Sequence, residues 1–298
     1  MWSAIILAGG KGNRFQNAPQ EDKLLVKVGG EIVIRRVAKV LADLADDLIL
    51  AVDERSRGER YEKILKDIGS FRVVIDIDPA FNAPLIGFIS GIMESRGRYS
   101  LVVPGDAAYI GKEELKSIMQ RVESGGFDCC VPCYNGYVQT LFQALLTEKA
   151  REIAKLLLQY NWKKPDGFIR GSSRTICLSF SPYTSGFSPF KTINTLEDIL
   201  DSKKARISLE NEVLLEFLDC INLLVKPINS NDALLRLYEV LIRNGNFFWA
   251  GVITSTLKGF GKISAKAFLR ERDFLRDKGL ISLALHAERD AYRLLDRD

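Results

Sequence analysis

Three glycines and three basic residues near the start of the chain form its clearest chemical pattern. Gly9, Gly10 and Gly12 lie within four residues of each other, and such a turn can expose successive backbone N–H groups that bind an anion. The basic side chains around these glycines are those of Lys11, Arg14 and Lys23. Backbone donors combined with fixed positive charge are typical of a site that binds a polyphosphate.

A short apolar segment leads directly into this glycine-rich loop. Ala4 to Leu7 is a continuous apolar run, which predicts a strand buried on both faces of a parallel sheet. Two common phosphate-binding motifs are excluded. A P-loop requires Ser or Thr after its lysine, and the dinucleotide motif requires a third glycine at the position of Phe15.

Asp106 follows a second apolar run, Leu101 to Val103, and is the second candidate for chemistry. A carboxylate at the end of a buried strand is costly unless it meets a cation. A hard oxygen ligand in this place suits Mg²⁺, which takes one or two protein carboxylates together with substrate phosphates. The alternative is that Asp106 caps the next helix, because Asp is a common cap residue.

The order of residues in the loop resembles a known family. The pattern L-A-G-G-x-G-x-R-F followed by Asp22-Lys23 is similar to the signature of nucleotidyltransferases with the glycosyltransferase-A-like fold, and its ending is most similar to the molybdenum-cofactor guanylyltransferase branch. Three later segments resemble motifs of the same family in the same order: Pro84-Leu85-x-Gly87, Asp106 to Ile110, and Ile193 to Glu197. The resemblance covers about residues 1 to 203.

The resemblance implies a role for each matching residue. The implied catalytic residues are Lys11, Arg14, Lys23 and Asp106. Asp106 would bind the catalytic Mg²⁺, the one cofactor expected, and Asn194 would point its amide at the metal or the second substrate. The implied nucleotide-binding residues are Leu7, Ala8, Gly9, Gly10, Lys23, Asp76, Asp78, Pro84, Leu85 and Gly87. The sequence leaves open whether Asp76 or Asp78 makes the contact.

Two departures from the family pattern stand out. Ala108 replaces the proline of the metal-binding motif, which loses rigidity in the turn but no ligand atom. Asp53 stands near the end of the second strand, where the family usually has an asparagine that touches the nucleotide. An anionic side chain near phosphates is unfavourable without a neighbouring cation. This second departure leaves the identity of the base or of the acceptor open.

Helical and strand patterns alternate through the first two thirds of the chain. They predict an α/β fold, namely a three-layer, mostly parallel sheet of the Rossmann-like nucleotidyltransferase type, with ligands at the carboxyl ends of its strands. The last strand is predicted at Phe190 to Thr195. We place a domain boundary after residue 203 and expect a small helical domain of unknown role over 204–298, beginning with a helix from Val213 to Leu224.

Composition narrows the function classes. The net charge is +4 over 298 residues without a block of like charges, which argues against a nucleic-acid surface. No apolar run is long enough to span a bilayer, and the first strand begins too early for a signal peptide, so we expect a cytoplasmic protein that does not bind membranes. The C-terminal helices could support a homodimer or bind a partner protein.

The resemblance implies a Mg²⁺-dependent nucleotidyl transfer. Its substrates would be a nucleoside triphosphate, with GTP favoured, and a phosphorylated small-molecule acceptor, with molybdopterin favoured; pyrophosphate would be released. Two alternatives remain within this class: cytidylyl transfer to the same pterin, and transfer to a sugar or polyol phosphate. An alternative of another class is a non-catalytic nucleotide-binding protein that acts as a regulatory subunit or scaffold.

Overall fold

A nine-stranded sheet forms the centre of the protein in a computed structural model, which describes residues 1–10, 22–77, 84–195, 198, 204–225 and 230–296. The strands are β1 Trp2–Leu7, β2 Lys27–Val28, β3 Glu31–Ile32, β4 Asp47–Val52, β5 Phe71–Ile75, β6 Tyr99–Pro104, β7 Cys129–Tyr134, β8 Tyr137–Val138, β9 Gln143–Leu146, β10 Arg174–Pro182 and β11 Ile207–Glu216. The pair β2 and β3 forms a separate small sheet.

The helices lie on both faces of this sheet, and those of the C-terminal region pack in the apolar cluster of one face. They are α1 Val33–Ala42, α2 Arg55–Leu65, α3 Pro84–Glu94, α4 Lys112–Gly125, α5 Thr147–Gln159, α6 Asp166–Gly171, α7 Ile221–Leu224, α8 Asn231–Arg243, α9 Phe247–Ser255, α10 Gly261–Asp277 and α11 Ile281–Leu295. The predicted α/β fold with three layers and a helical C-terminal region is confirmed.

The sheet order is β11-β10-β7-β9-β6-β1-β4-β5, with β8 attached to β7. Strand β1 is parallel to β4 on one side and to β6 on the other. Strand β9 is antiparallel to both β6 and β7, so these two strands point in the same direction. The chain moves outward from β1 through β4 and β5 and then returns to β6, which makes the gap between β1 and β6 the point where the strand order reverses.

The continuous apolar runs form strands because both faces of the sheet are covered. Successive residues of β1 point to opposite faces: Ile5 packs in an apolar cluster with α3 and α5, and Ile6 packs in another with α1 and α4. Both side chains are fully buried. This two-sided burial explains why the strand pattern is continuous instead of alternating.

The C-terminal helices share the apolar cluster of one sheet face. Trp249 of α9 and Phe268 of α10 belong to the same apolar cluster as Ile5 of β1 and Phe88 of α3.

In the described part of the chain no helix is both long and apolar enough to cross a membrane. The division of the chain after residue 203 stays a prediction.

The predicted helix from Val213 to Leu224 is wrong. Its first part belongs to strand β11, which pairs antiparallel with β10, and only the last turn is helical, in α7. A short apolar run fits a helix or a strand equally well, and pairing with the available edge of β10 decides the outcome. The sheet therefore extends beyond the predicted boundary.

The predicted strand from Phe190 to Thr195 is also wrong. The structure has no strand there, although residues 190–195 are described. The backbone hydrogen bonds go to local turns and to the neighbouring loop: Lys191 donates to the carbonyl of Ser188, and Ile193 donates to the carbonyl of Asp106. The segment is thus attached to the Asp106 loop without joining a sheet.

Candidate active site

The crevice between the carboxyl ends of β1 and β6 brings the two main candidate groups together. Leu7, the last residue of β1, is in register with Pro104, the last residue of β6. Gly9 and Gly10 follow the first strand, and Asp106 follows the second. Open α/β sheets bind ligands at such a reversal of strand order, so the topology favours this crevice as the site.

The glycines at the end of β1 allow the backbone to turn closely against β4. A Cβ atom on Gly9 would lie 3.1 Å from the backbone nitrogen of Asp53, which leaves no comfortable space for a side chain. Gly10 has φ of +117°, a conformation that L side chains rarely adopt, and a Cβ there would have no atom within 4 Å. The backbone is therefore exposed and approachable at Gly10, as a phosphate-binding loop requires.

Lys23 forms an ion pair with Asp106 across this crevice. Asp106 is 7% exposed, whereas the Lys23 side chain is 28% exposed. The loop that carries Asp106 is attached to the end of β1, because the N–H of Gly105 donates to the carbonyl of Leu7 at 2.9 Å. The buried carboxylate thus meets the cation that its position demands.

The alternative role of Asp106 as a helix cap is wrong. Helix α4 begins at Lys112, and its N-cap residue is Gly111, five positions beyond Asp106. Asp106 therefore does not cap this helix. Its backbone carbonyl accepts hydrogen bonds from Ala108 and Ile193, both at 3.0 Å, so the loop is held on two sides.

Asn194 is brought to the Asp106 loop by the neighbouring Ile193 contact. Its side-chain Nδ2 donates to Thr192 Oγ1 at 3.1 Å, and its backbone N–H donates to Asp198 Oδ2 at 2.8 Å. The hydrogen bond from Nδ2 leaves the side-chain oxygen as the atom that could ligate a metal. Among the described residues no group of three or more His, Cys, Asp or Glu side chains could hold a metal ion.

Tyr61 is a site residue that the sequence pattern did not reveal. Its buried hydroxyl donates to Asp22 Oδ2 at 2.6 Å, and Asp22 Oδ1 accepts from the N–H of Leu24 at 3.1 Å. Burial and the neighbouring Asp22 carboxylate raise the pKa of Tyr61, so the hydroxyl stays a donor. The two contacts hold the turn from which Lys23 reaches Asp106.

Asp76 lies at the carboxyl end of β5, next to α3. Its Oδ1 atom is buried and has no hydrogen-bond partner among the described residues, and it would lie 3.3 Å from a Cβ on Gly87. Burial, together with the charge of Asp53, raises the pKa of Asp76 to about 6. Leu85 is fully buried in α3, which begins at Pro84.

The predicted site residues Lys11, Arg14 and Asp78 lie outside the described residues, as does Glu197. Their proposed roles stay predictions. The choice between Asp76 and Asp78 also stays open, although the structure supplies a reason to favour Asp76: a buried carboxylate oxygen that lies beside Gly87 of α3.

Arg57 provides the cation that Asp53 needs. The two side chains form an ion pair at 2.6 Å, with Arg57 in the first turn of α2 and Asp53 two residues before the helix begins. Arg57 also donates to the carbonyl of Gly10 at 3.0 Å, and Asp53 accepts from the N–H of Gly10 at 3.3 Å. The i,i+4 spacing was the sequence signal that could have found this residue.

The amino-acid sequence matches a known protein family over more than half of the chain. Residues 4–169 match the sequence model of the MobA-like NTP transferase domain. The chain belongs to this family. It is therefore a nucleotidyltransferase, and the roles of the individual site residues stay predictions.

Curated relatives of this MobA-like chain match about half to two thirds of it at low identity. It is 25% identical over 207 residues to the probable molybdenum cofactor guanylyltransferase of Natranaerobius thermophilus, a match that spans 68% of this chain and 95% of the relative. It is 30% identical over 143 residues to the molybdenum cofactor guanylyltransferase of Pseudomonas putida, spanning 48% of this chain and 69% of the relative.

Solved structures share the fold of this MobA-like domain. A 4-diphosphocytidyl-2C-methyl-D-erythritol synthase from Anaerococcus prevotii superposes with a TM-score of 0.51 and 15% identity, covering 67% of this chain and 95% of its own. A nucleotidyl transferase from Methanothermobacter superposes with a TM-score of 0.50 and 20% identity, covering 67% of this chain and 94% of its own. At this identity the likeness concerns the fold alone.

Proposed function

We propose that this protein transfers GMP from GTP to the terminal phosphate of molybdopterin and releases pyrophosphate. The observation that carries the proposal is the Lys23–Asp106 pair in the crevice beside Gly9 and Gly10. The choice of substrates is supported by the curated relatives, which are named molybdenum cofactor guanylyltransferases.

The reaction asks the protein for alignment and charge stabilisation. A phosphate acceptor is already ionised at neutral pH, so no general base is needed for its attack on the α-phosphorus of GTP. The backbone at Gly9 and Gly10, together with Lys11, would hold the triphosphate. Lys23 would stabilise the charge on the α-phosphate or the acceptor phosphate, and we assign the leaving pyrophosphate to Arg14.

The residues around Asp106 fit a magnesium ion. One buried carboxylate, with the Asn194 amide on the adjoining segment, matches the small number of protein ligands that Mg²⁺ takes beside substrate phosphates. When bound, Mg²⁺ would neutralise negative charge on the phosphate oxygens. Asp106 is the residue we propose as its main protein ligand, and Lys23 keeps this carboxylate oriented towards the crevice.

Asp76 supports guanine as the base. Its Oδ1 is buried, has no partner in the described part of the chain, and is a hydrogen-bond acceptor at the carboxyl end of β5. Guanine presents N–H and amino donors on one edge, whereas cytosine offers mainly acceptors there. The carboxylate would also accept from ribose hydroxyls, as the family resemblance implies for this position.

A pyrophosphate-release screen tests the function. The full-length protein is incubated with MgCl₂, each of GTP, CTP, ATP and UTP, and either molybdopterin, a sugar phosphate or a polyol phosphate. We expect release only with GTP and molybdopterin. Release with CTP, or with another acceptor, would overturn the substrate assignment. Tight GTP binding without release from any pair would instead support a non-catalytic nucleotide-binding protein.

A further inference from the structure

Asp53 and Arg57 together bind both backbone polar groups of Gly10, its N–H and its carbonyl. The Asp53 carboxylate accepts from the N–H of Gly10 at 3.3 Å, and the Arg57 guanidinium donates to its carbonyl at 3.0 Å. The two side chains are joined to each other at 2.6 Å. Gly10, Asp53 and Arg57 thus form a closed ring of contacts at the entrance of the glycine loop.

The Gly10 backbone needs such support. A glycine loses more conformational freedom on ordering than any other residue, and the open space around the Gly10 Cβ position means that packing restrains it little on that side. The Asp53 and Arg57 side chains are 21% and 24% exposed, so their contact is better shielded than one on the open surface. The pair can therefore fix the Gly10 backbone, which packing on that side leaves free.

The pair also reduces electrostatic repulsion between Asp53 and the proposed triphosphate ligand. An isolated Asp53 carboxylate beside the triphosphate would repel it, but the Arg57 guanidinium neutralises that carboxylate directly. Removing only the cation would leave a bare negative charge next to the proposed phosphate-binding loop. Removing both charges would relieve this repulsion while losing the hold on the carbonyl of Gly10.

We propose that Asp53 and Arg57 are positioning residues that fix the Gly10 peptide for binding of the nucleoside triphosphate. This inference rests on the proposed function, because it takes GTP as the ligand of the loop. Neither side chain is assigned to the reacting atoms. Their effect is on the orientation of the Gly10 backbone, whose N–H and carbonyl they bind, and through it on how the loop meets the phosphates.

The test compares three variants with the wild-type protein: Arg57→Met, the double variant Asp53→Asn/Arg57→Met, and Arg60→Met as the matched control. Arg60 is an exposed arginine of the same helix, so its loss changes net charge and helix composition equally. GTP with MgCl₂ is the probe. Its Kd is measured by calorimetry, and KM and kcat by pyrophosphate release.

We expect Arg57→Met to raise the Kd and KM for GTP about tenfold while kcat changes less than about twofold, because the loop holds the triphosphate equally in the ground and transition states. The double variant should bind GTP more tightly than Arg57→Met, since it lacks the unneutralised carboxylate. A purely structural role would lower kcat through loss of folded enzyme and would show no such recovery. Arg60→Met should match the wild type.

Two results would overturn the inference, and they differ from failure of the function. If the wild type binds GTP but Arg57→Met has the same KM and Kd as Arg60→Met, the positioning role is wrong and the proposed function stands. A double variant that binds no better than Arg57→Met would refute the charge argument. If the wild type neither binds nor uses any nucleoside triphosphate, the proposed function fails and this inference fails with it.

Discussion

The Lys23 ammonium contacts the Asp106 carboxylate although 83 positions separate the two residues in the chain. Lys23 follows the glycine loop and Asp106 follows β6, so the contact spans the crevice between β1 and β6. The Lys23 ammonium compensates the charge of a buried carboxylate, and the carboxylate restrains the long, flexible lysine side chain. The contact therefore holds both side chains in place, as the proposed phosphate chemistry requires.

Replacing Asp106 by Asn should remove activity and keep the fold. The amide has the same shape but lacks the charge that would hold Mg²⁺ and orient Lys23. We expect kcat for pyrophosphate release to fall by roughly a hundred- to a thousandfold, the range for loss of one pre-organised electrostatic group. Circular dichroism should stay unchanged. Asp43→Asn, which removes an exposed carboxylate paired with Lys112, is the control; wild-type turnover of Asp106→Asn at saturating MgCl₂ would refute the assignment.

Replacing Tyr61 by Phe should lower activity through the position of Lys23. The change removes only the hydroxyl that donates to Asp22, so the turn carrying Lys23 loses one of its two side-chain anchors. A hydrogen bond to a charged group contributes about 1.5–3 kcal/mol, and we expect kcat to fall about tenfold with a lower Tm. Tyr292→Phe, at an exposed tyrosine, should change neither value. Equal kcat in the two variants would contradict the anchoring role.

Much of this site could be predicted from sequence because local chemistry determines it. The run before Leu7 is apolar throughout because both sheet faces are covered, and the glycines at 9 and 10 follow from a close backbone approach and a positive φ. Asp106 was identified from its place after a buried strand. These signals lie within a few residues of the feature that they predict.

The features that sequence reasoning missed depend on contacts between distant segments. The hydroxyl of Tyr61 reaches Asp22 across 39 positions, which no local pattern records. Strand β11 forms because β10 offers it an edge, and the segment from Phe190 to Thr195 follows the Asp106 loop because Ile193 donates to that loop. Tertiary pairing decided these outcomes, and local propensity did not.

Nucleotide affinity and stability should depend in opposite ways on the ionisation of Asp76. The group has an ordinary pKa near 3.8 when unfolded, and burial with the charge of Asp53 raises the pKa of Asp76 to about 6 in the folded protein. Between these values the unfolded chain releases the proton first, so the free energy of unfolding falls as pH rises from about 4 to 6. Above pH 6 the carboxylate is ionised in both states and the cost is constant.

Asp76→Asn should remove this pH dependence. We expect the difference in Tm between Asp76→Asn and the wild type to increase from pH 5 to pH 7, while the KM for GTP rises at pH 7 because the carboxylate acceptor is lost. Asp53→Asn should shift the acid limb of kcat/KM to lower pH, because the charge that raises the pKa of Asp76 is gone. A constant difference in Tm across this range would show that Asp76 does not titrate there.

A buried ionic cluster connects α6 with the C-terminal helices. The guanidinium of Arg170 is fully buried and pairs with Asp166 at 3.0 Å, Glu271 at 2.7 Å and Asp290 at 2.8 Å. It also lies over the ring of Phe248, 4.7 Å from the ring centroid. One cation thus compensates carboxylates from three helices. Lys164 also pairs with Asp290, and His286 Nδ1 lies 3.0 Å from Asp166 Oδ2.

Replacing Arg170 by Met should therefore destabilise the whole protein. The variant leaves carboxylates buried without their main cation, and breaking a buried pair in this way costs about 3–5 kcal/mol. Urea unfolding followed by circular dichroism measures the loss. Arg243→Met, which breaks the exposed i,i+4 pair with Glu239, should change the free energy of unfolding by less than about 0.5 kcal/mol. The double variant Arg170→Met/Glu271→Leu should recover part of the loss, because one stranded carboxylate is then replaced by an apolar group. If Arg170→Met unfolds at the same urea concentration as Arg243→Met, the cluster does not hold the C-terminal helices against α6.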